Sequence, residues 1–331
     1  MVIRVVLTFL IASSGMVVAD DAVFVGETPR QILNSGAGEG PAWDSEWGLL
    51  FSGGGNITRW DRDGKTSLFR KDAGSNGLLF DSQGRLLICE PLQRRVTRLH
   101  RDGTLTVLTD RFQGKRYNQP NDLAIDSAGR VYFSDPCYGD RAHMEITDDA
   151  GRLVEGVYRI DLDGKVTRII THEADRPNGL LITPDDRYLY VADNNNNERR
   201  GARQLWRFDL NPDGSVAASS RRLIYDWKDS RGPDGMTLDQ QGRLYVAGGL
   251  NQSRAPVETN EFQGGVYVFS PTGQLLTFLH IPRDEVTNCT FGGDDLKTLF
   301  ITAGGTLWSI RTTTPGKLRW PHAPQSPRSR N

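Results

Sequence analysis

Six copies of one short pattern, more than any single motif, restrict what this chain can fold into. Each copy opens on a residue with a side-chain oxygen, continues as a short apolar run, turns, and enters a second β-rich run. The copies begin at Glu39, Asn76, Asn121, Asn178, Asp234 and Asn288, with spacings of 37, 45, 57, 56 and 54 residues. Self-similarity at this period marks a supersecondary unit packed against copies of itself. The second run is clearest in Gly84–Ile88, Gly129–Phe133 and Gly242–Val246. A further hairpin in each unit is signalled by Asp63-Gly64, Asp102-Gly103, Asp163-Gly164, Asp213-Gly214 and Thr272-Gly273, pairs that supply the positive φ angles tight turns need. Two hairpins per unit make a four-stranded blade, and no stretch sustains a helical period. The expected fold is therefore all-β: a six-bladed β-propeller, which removes sheet edges by closing on itself. Closure requires the chain ends to meet, so a strand within Ala22–Leu33 is expected in the same blade as Thr306–Arg311.

The ends are read separately. Arg4 precedes an apolar run of 14 residues, Val5–Val18, followed by Ala19 and two aspartates. That order of basic, apolar and small residues reads as a secretory signal, residues 1–19; the run is shorter than the roughly 20 residues of a membrane span. The expectation is an exported chain, periplasmic or secreted, with no membrane span after signal cleavage. A single propeller domain is expected over residues 20–314, with a flexible tail at 315–331. Lys and Arg number 40 against 41 Asp and Glu, so no net field recruits nucleic acid, and the expected partner is a small molecule. Cys89, Cys137 and Cys289 show no metal or redox spacing and read as buried thiols. The five histidines form no HxH or HExxH pattern, which disfavours histidine-bound zinc.

Propeller geometry gives the six opening residues a common address. The innermost strand of each blade lines the axial channel, so residues at its start gather around the axis at one face. All six offer carboxylate or amide oxygens, the donors chosen by hard cations; Ca²⁺ takes six to eight of them. Asn and Asp before Gly are also ordinary turn formers. Glu39 is a poor turn residue in the same slot, and a buried acid requires a cation or hydrogen bonds.

Glu39-Gly40-Pro41, Asn121-Asp122, Pro177-Asn178-Gly179 and Pro233-Asp234-Gly235-Met236 resemble the signature of the SMP-30/gluconolactonase family, over about Gly36 to Thr302. Asn76-Gly77-Leu78, Tyr132–Pro136 and Asn288–Phe291 resemble its bacterial and fungal gluconolactonase-like branch. The resemblance implies one divalent metal held by Glu39, Asn178 and Asp234, with Asn121 as a further ligand or substrate contact. Ca²⁺ is the first choice and Zn²⁺, Mn²⁺ and Mg²⁺ are alternatives. Some members carry arginine, contacting sugar hydroxyls, at the position of Gln119. The implied activity is hydrolysis of a sugar lactone, with the metal as Lewis acid and Asp234, or alternatively Glu39, as general base. The long loops Pro136–Gly156 and Gly248–Gly265 offer Tyr138, His143 and Asn251 as substrate-binding candidates beside Gln119 and Asn121, and Asp193–Asn197 is rich in amides. A phosphotriesterase-like hydrolase on the same site and a non-catalytic binding propeller are the competing readings. No GxSxG elbow points to covalent serine chemistry, and the oligomeric state is left open.

Overall fold

The computed structural model describes residues 22–320. The leader expected at residues 1–19, and the last part of the expected tail, lie outside the described residues. Six four-stranded antiparallel sheets form the six blades of a propeller. Their inner strands are Glu39–Asp44, Leu78–Phe80, Leu123–Ile125, Pro177–Ile182, Pro233–Leu238 and Val286–Gly292, in blades 1 to 6. Consecutive inner strands pack side by side around the axis, the last against the first. In blades 1 to 5 the four strands follow chain order, so every pairing is a local hairpin. Blade 6 is completed from the N-terminal side: Phe24–Leu33 lies antiparallel to Thr306–Thr312, with Phe24 opposite Thr312 and Leu33 opposite Leu307. The expected closing pair is thus present, and the ring is locked by hydrogen bonds between the two ends of the described chain.

Local sequence explains why the hairpins recur. In Asp81–Arg85, Asp126–Arg130 and Asp239–Arg243 the aspartate caps the turn, its Oδ1 accepting from the N–H four residues on at 3.0, 2.9 and 3.0 Å. The other oxygen pairs with the arginine Nε, and the glycine before each arginine adopts φ of 70°, 85° and 75°, which a side chain would resist. Second strands such as Leu86–Glu90, Val131–Asp135 and Leu244–Gly248 are buried along their whole length. They therefore read as unbroken runs rather than as alternating ones. The apolar core lies between blades: Tyr245 and Val268 of blade 5 share a cluster with Phe291, Ile301 and Trp308 of blade 6. Trp43 of blade 1 stacks on Phe300 of blade 6 at 6.1 Å and 14°; such pairs contribute about 0.5–1.5 kcal/mol beyond their buried area.

The flexible tail expected from Pro315 is corrected by its described part. Gln240 N–H donates to the Pro315 carbonyl (2.9 Å), Gly316 N–H to Leu296 (2.7 Å) and Lys317 N–H to Leu238 (2.8 Å). Arg319 pairs with Asp186 at 2.8 Å, and Leu318 and Trp320 pack on apolar clusters of blades 1 and 3. Prolines and basic residues suggested fraying, but two apolar side chains and an ion pair anchor the segment. Lys317, Leu318 and Arg319 line an axial cavity of about 140 Å³ together with Leu78, Leu180 and Met236 of the inner strands. All three cysteines are free and buried. No helix of the described residues is long and apolar enough to cross a membrane.

Candidate active site

The six opening residues are packed into one ring, and glycine is what lets it close. A Cβ on Gly40 would lie 2.2 Å from the Asn76 carbonyl oxygen, and one on Gly77 would lie 2.5 Å from that of Asn121. On Gly179 it would be 2.0 Å from the Asp234 carbonyl oxygen, and on Gly235 1.9 Å from the Asn288 side chain. The remaining links are polar. Asp122, which stands in the glycine slot of blade 3, accepts from Leu180 N–H at 3.2 Å, and Asn288 Nδ2 donates to Glu39 Oε2 at 3.4 Å. Gly77 N–H also donates across blades to the Asn121 carbonyl (2.8 Å). The glycines after the opening residues are therefore sites of backbone approach as well as turn positions. Glu39, Asn121, Asn178 and Asp234, distant in sequence, belong to this one ring.

Its electrostatics are those of acids held together without enough countercharge. Asp234 is 3% exposed. Burial pushes its carboxyl up to about 7; Arg231 pulls it down, Glu285 and Asp122 push it up, and a hydrogen bond from Asn178 pulls it down. Glu39 keeps some access to solvent at the mouth, yet enclosure by protein holds it well above the usual carboxylate range. The Asp234 and Asp122 charges add to that rise, against hydrogen bonds from Gly40 N–H and the Asn288 amide. Burial pushes Asp122 up to about 6, against the Leu123 and Leu180 N–H groups. Asp234 Oδ1 is buried with no hydrogen-bond partner.

Two parts of this constellation escaped the sequence reading. Asp122 sits one residue past an opening position, and the signal was its occupation of a slot that glycine fills in four other blades. Arg231, 7% exposed, lies three residues before Asp234, with Nη2 4.0 Å from Asp234 Oδ2, 2.7 Å from Glu285 Oε2, and Nη1 3.7 Å from Glu258 Oε1. Glu258 and Glu285 come from the loops before the third strand of blade 5 and the first strand of blade 6. Nothing in their local sequence distinguished them.

The loop candidates divide. The Tyr138 hydroxyl accepts from Asn178 Nδ2 at 2.8 Å, which places Tyr138 at the ring. Gln119 lies behind it, its Oε1 accepting the Tyr138 N–H at 2.8 Å and the Gly139 N–H at 3.3 Å. His143 does not reach the ring: its side chain is 79% exposed beside Asp140, within the single turn Arg141–His143. Asn251 is committed to fold contacts. Its Nδ2 donates to the Ile281 carbonyl (2.9 Å), and its Oδ1 accepts from Gly264 N–H (3.2 Å) and lies 3.0 Å from His280 Nε2. The amide run is likewise partly structural, Asn195 Nδ2 donating to Asp175 at 2.7 Å.

The residues present fit a hard divalent cation. Two carboxylates, Glu39 and Asp234, stand with the amides of Asn178 and Asn121, and no imidazole or thiolate is among them. Among the described residues no three His, Cys, Asp or Glu side chains are grouped to hold a metal, so a cation here depends on amide oxygens. The partnerless Asp234 Oδ1, the Glu39 and Asp234 carboxyls raised by burial and by neighbouring acids, and the Asp122 carboxyl raised by burial are the polar excess that such a charge would offset.

Comparison with known proteins places this geometry in a lineage. The chain is 31% identical to the gluconolactonase of Zymomonas mobilis, covering 89% of this chain and 85% of that one. It is 27% identical to the 6-deoxy-6-sulfogluconolactonase of Pseudomonas putida, covering 80% and 82%. The structure of a gluconolactonase from Xanthomonas campestris superposes with a TM-score of 0.72 at 30% identity, covering 88% and 91%. Residues 37–305 match the SMP-30/gluconolactonase/LRE-like region, a span holding all six blades' inner strands and every ring residue, and the chain belongs to that family.

Proposed function

We propose that this protein is a lactonase that hydrolyses a sugar lactone of the aldonolactone type, using a divalent cation, Ca²⁺ first, at the ring of Glu39, Asn178 and Asp234. The observation that carries the reading is the convergence of buried carboxyls with amide oxygens at the mouth of the channel, where protein charges alone leave Asp234 Oδ1 unpaired. The names of the relatives, gluconolactonase and sulfogluconolactonase, support the substrate class. When bound, the cation supplies Lewis-acid polarisation of the ester carbonyl.

The chain's own residues do the rest. Glu39 and the Asn178 amide hold the cation, and Asn121, whose side-chain amide makes no protein hydrogen bond among the described residues, orients the lactone. Asp234 takes a proton from the attacking water at its carboxylate while the new C–O bond forms. Arg231 favours the ionised form of Asp234, as a base requires. The ring C–O bond then breaks, and the departing alkoxide takes up a proton, giving the hydroxy acid. Residues 1–19 support export of the mature chain, periplasmic or secreted.

The test is a screen of aldonolactones against metal-stripped protein, with Ca²⁺, Mg²⁺, Mn²⁺ or Zn²⁺ added back and organophosphate triesters as the comparison substrates. Metal-dependent lactone opening is expected, reduced about 100-fold or more in Asp234→Ala, the scale of a lost general base. Turnover of triesters without lactones, or wild-type rates in the variant, would overturn the reading.

A further inference from the structure

An amide ligand is useful to a cation only if its oxygen faces the right way, and the carbonyl and NH₂ arms of asparagine are nearly equal in shape. For Asn178 the choice is made outside the ring. Its Nδ2 donates to the Tyr138 hydroxyl at 2.8 Å, and that hydroxyl donates onward to the Asn194 carbonyl at 3.2 Å. A phenol has one hydrogen; with that hydrogen given to Asn194, the oxygen can only accept from Asn178, so the NH₂ arm must be the one turned toward it. Oδ1, on the opposite arm of the planar amide, makes no hydrogen bond with protein among the described residues.

Tyr138 is itself held from several directions. Gln119 Oε1 accepts its N–H, Asn197 Nδ2 donates to its carbonyl at 3.2 Å, and Glu155 Oε2 accepts the N–H of Cys137 before it at 2.7 Å. Beneath the ring, 5.4 Å from its centroid, lies the Arg176 guanidinium. Arg176 is buried and doubly bonded to Glu155 at 2.7 and 3.1 Å, and it directly precedes Pro177-Asn178. One buried ion pair therefore steadies both the strand that carries Asn178 and the loop that carries the hydroxyl.

Resting on the cation reading above, we infer that Tyr138 is a positioning residue that sets the Asn178 amide with its oxygen toward the cation, and that Gln119 acts through the Tyr138 backbone instead of gripping substrate. The hydroxyl network does for an amide ligand what a carboxylate hydrogen-bonded to the far ring nitrogen does for a metal-bound histidine.

The experiment is calorimetric titration of Ca²⁺ into metal-stripped wild-type protein, Tyr138→Phe and Gln119→Leu, with thermal melts of each metal-free protein. Tyr138→Phe removes one oxygen, so its metal-free melt should stay close to wild type while Ca²⁺ affinity falls about 10- to 100-fold, the range seen when outer-shell partners are lost. Gln119→Leu should weaken Ca²⁺ in the same direction. Wild-type Ca²⁺ affinity in a folded Tyr138→Phe protein overturns the inference. A raised KM with unchanged Ca²⁺ affinity in Gln119→Leu overturns the role given to Gln119. Wild-type protein that binds none of Ca²⁺, Mg²⁺, Mn²⁺ or Zn²⁺ sinks the cation reading itself, a result distinct from either.

Discussion

Asp234→Asn should make the metal-free protein less sensitive to alkali, by an amount that follows from the burial of one carboxyl. In the unfolded chain Asp234 ionises at the ordinary 3.8, whereas in the fold it does so at about 7. Between those values the folded state holds one more proton than the unfolded state, so stability falls as pH rises through this window and levels off above it. At about 1.4 kcal/mol for each tenfold change in proton affinity, the full loss is roughly 4 kcal/mol, of which roughly 2.5 kcal/mol falls between pH 5 and 8. Acids held low by surface partners, such as Asp295 at about 2, have finished titrating below this range. Asp193 and Asp135, raised to about 6 and about 8, add to the fall in both proteins and cancel in the difference, whereas Glu39, raised in part by the Asp234 charge, loses part of its rise in the variant and widens the difference. Urea unfolding in chelator at pH 5 and 8 measures the effect, and saturating Ca²⁺ should bring the wild-type slope toward that of the variant. Identical slopes for wild type and Asp234→Asn in chelator would refute the assignment of a raised, uncompensated carboxyl in the ring.

Gly179→Ala should be among the most damaging small substitutions in the chain, because its methyl group would lie 2.0 Å from the Asp234 carbonyl oxygen and backbone cannot rotate away. A loss at or above the overpacking range of about 1–3 kcal/mol, read by urea unfolding, is expected together with weakened Ca²⁺ binding; a neutral result would mean that the ring is looser than it looks. Arg231→Gln removes the cation that favours the ionised form of Asp234, so the acid limb of the kcat/KM profile for lactone opening should move to higher pH. An unmoved limb would show that Asp234 is not the titrating base.

The parts of the site that were legible in the sequence were those carried by the repeat. Glu39, Asn121, Asn178 and Asp234 could be placed together because each lies at or just before the start of an inner strand, and a closed propeller brings such positions to one axis whatever their separation along the chain. Gln119 and Tyr138 were singled out as substrate contacts; the fold sets the Tyr138 hydroxyl against the Asn178 amide and Gln119 behind it on the Tyr138 N–H. His143 was chosen for its residue type and loop, and the loop carries it outward to solvent. Asp122 was read only as the second residue of the Asn121-Asp122 motif, and Arg231 carried no local signal until the fold brought it to Asp234.

Periodic hydrophobicity and turn chemistry act over a few residues, so the amino-acid sequence by itself determined the blade count, the hairpins and the oxygen-bearing residue that starts each blade. Orientation and protonation depend on distances between groups far apart in the chain, and these only the tertiary structure decided. It set which arm of the Asn178 amide meets Tyr138, it put Arg231 within 4.0 Å of Asp234, and it laid residues 315–320 across the channel. Hydrogen bonds require contact at about 3 Å, and charge interactions weaken with distance and strengthen with burial, so neither is set until the blades have closed.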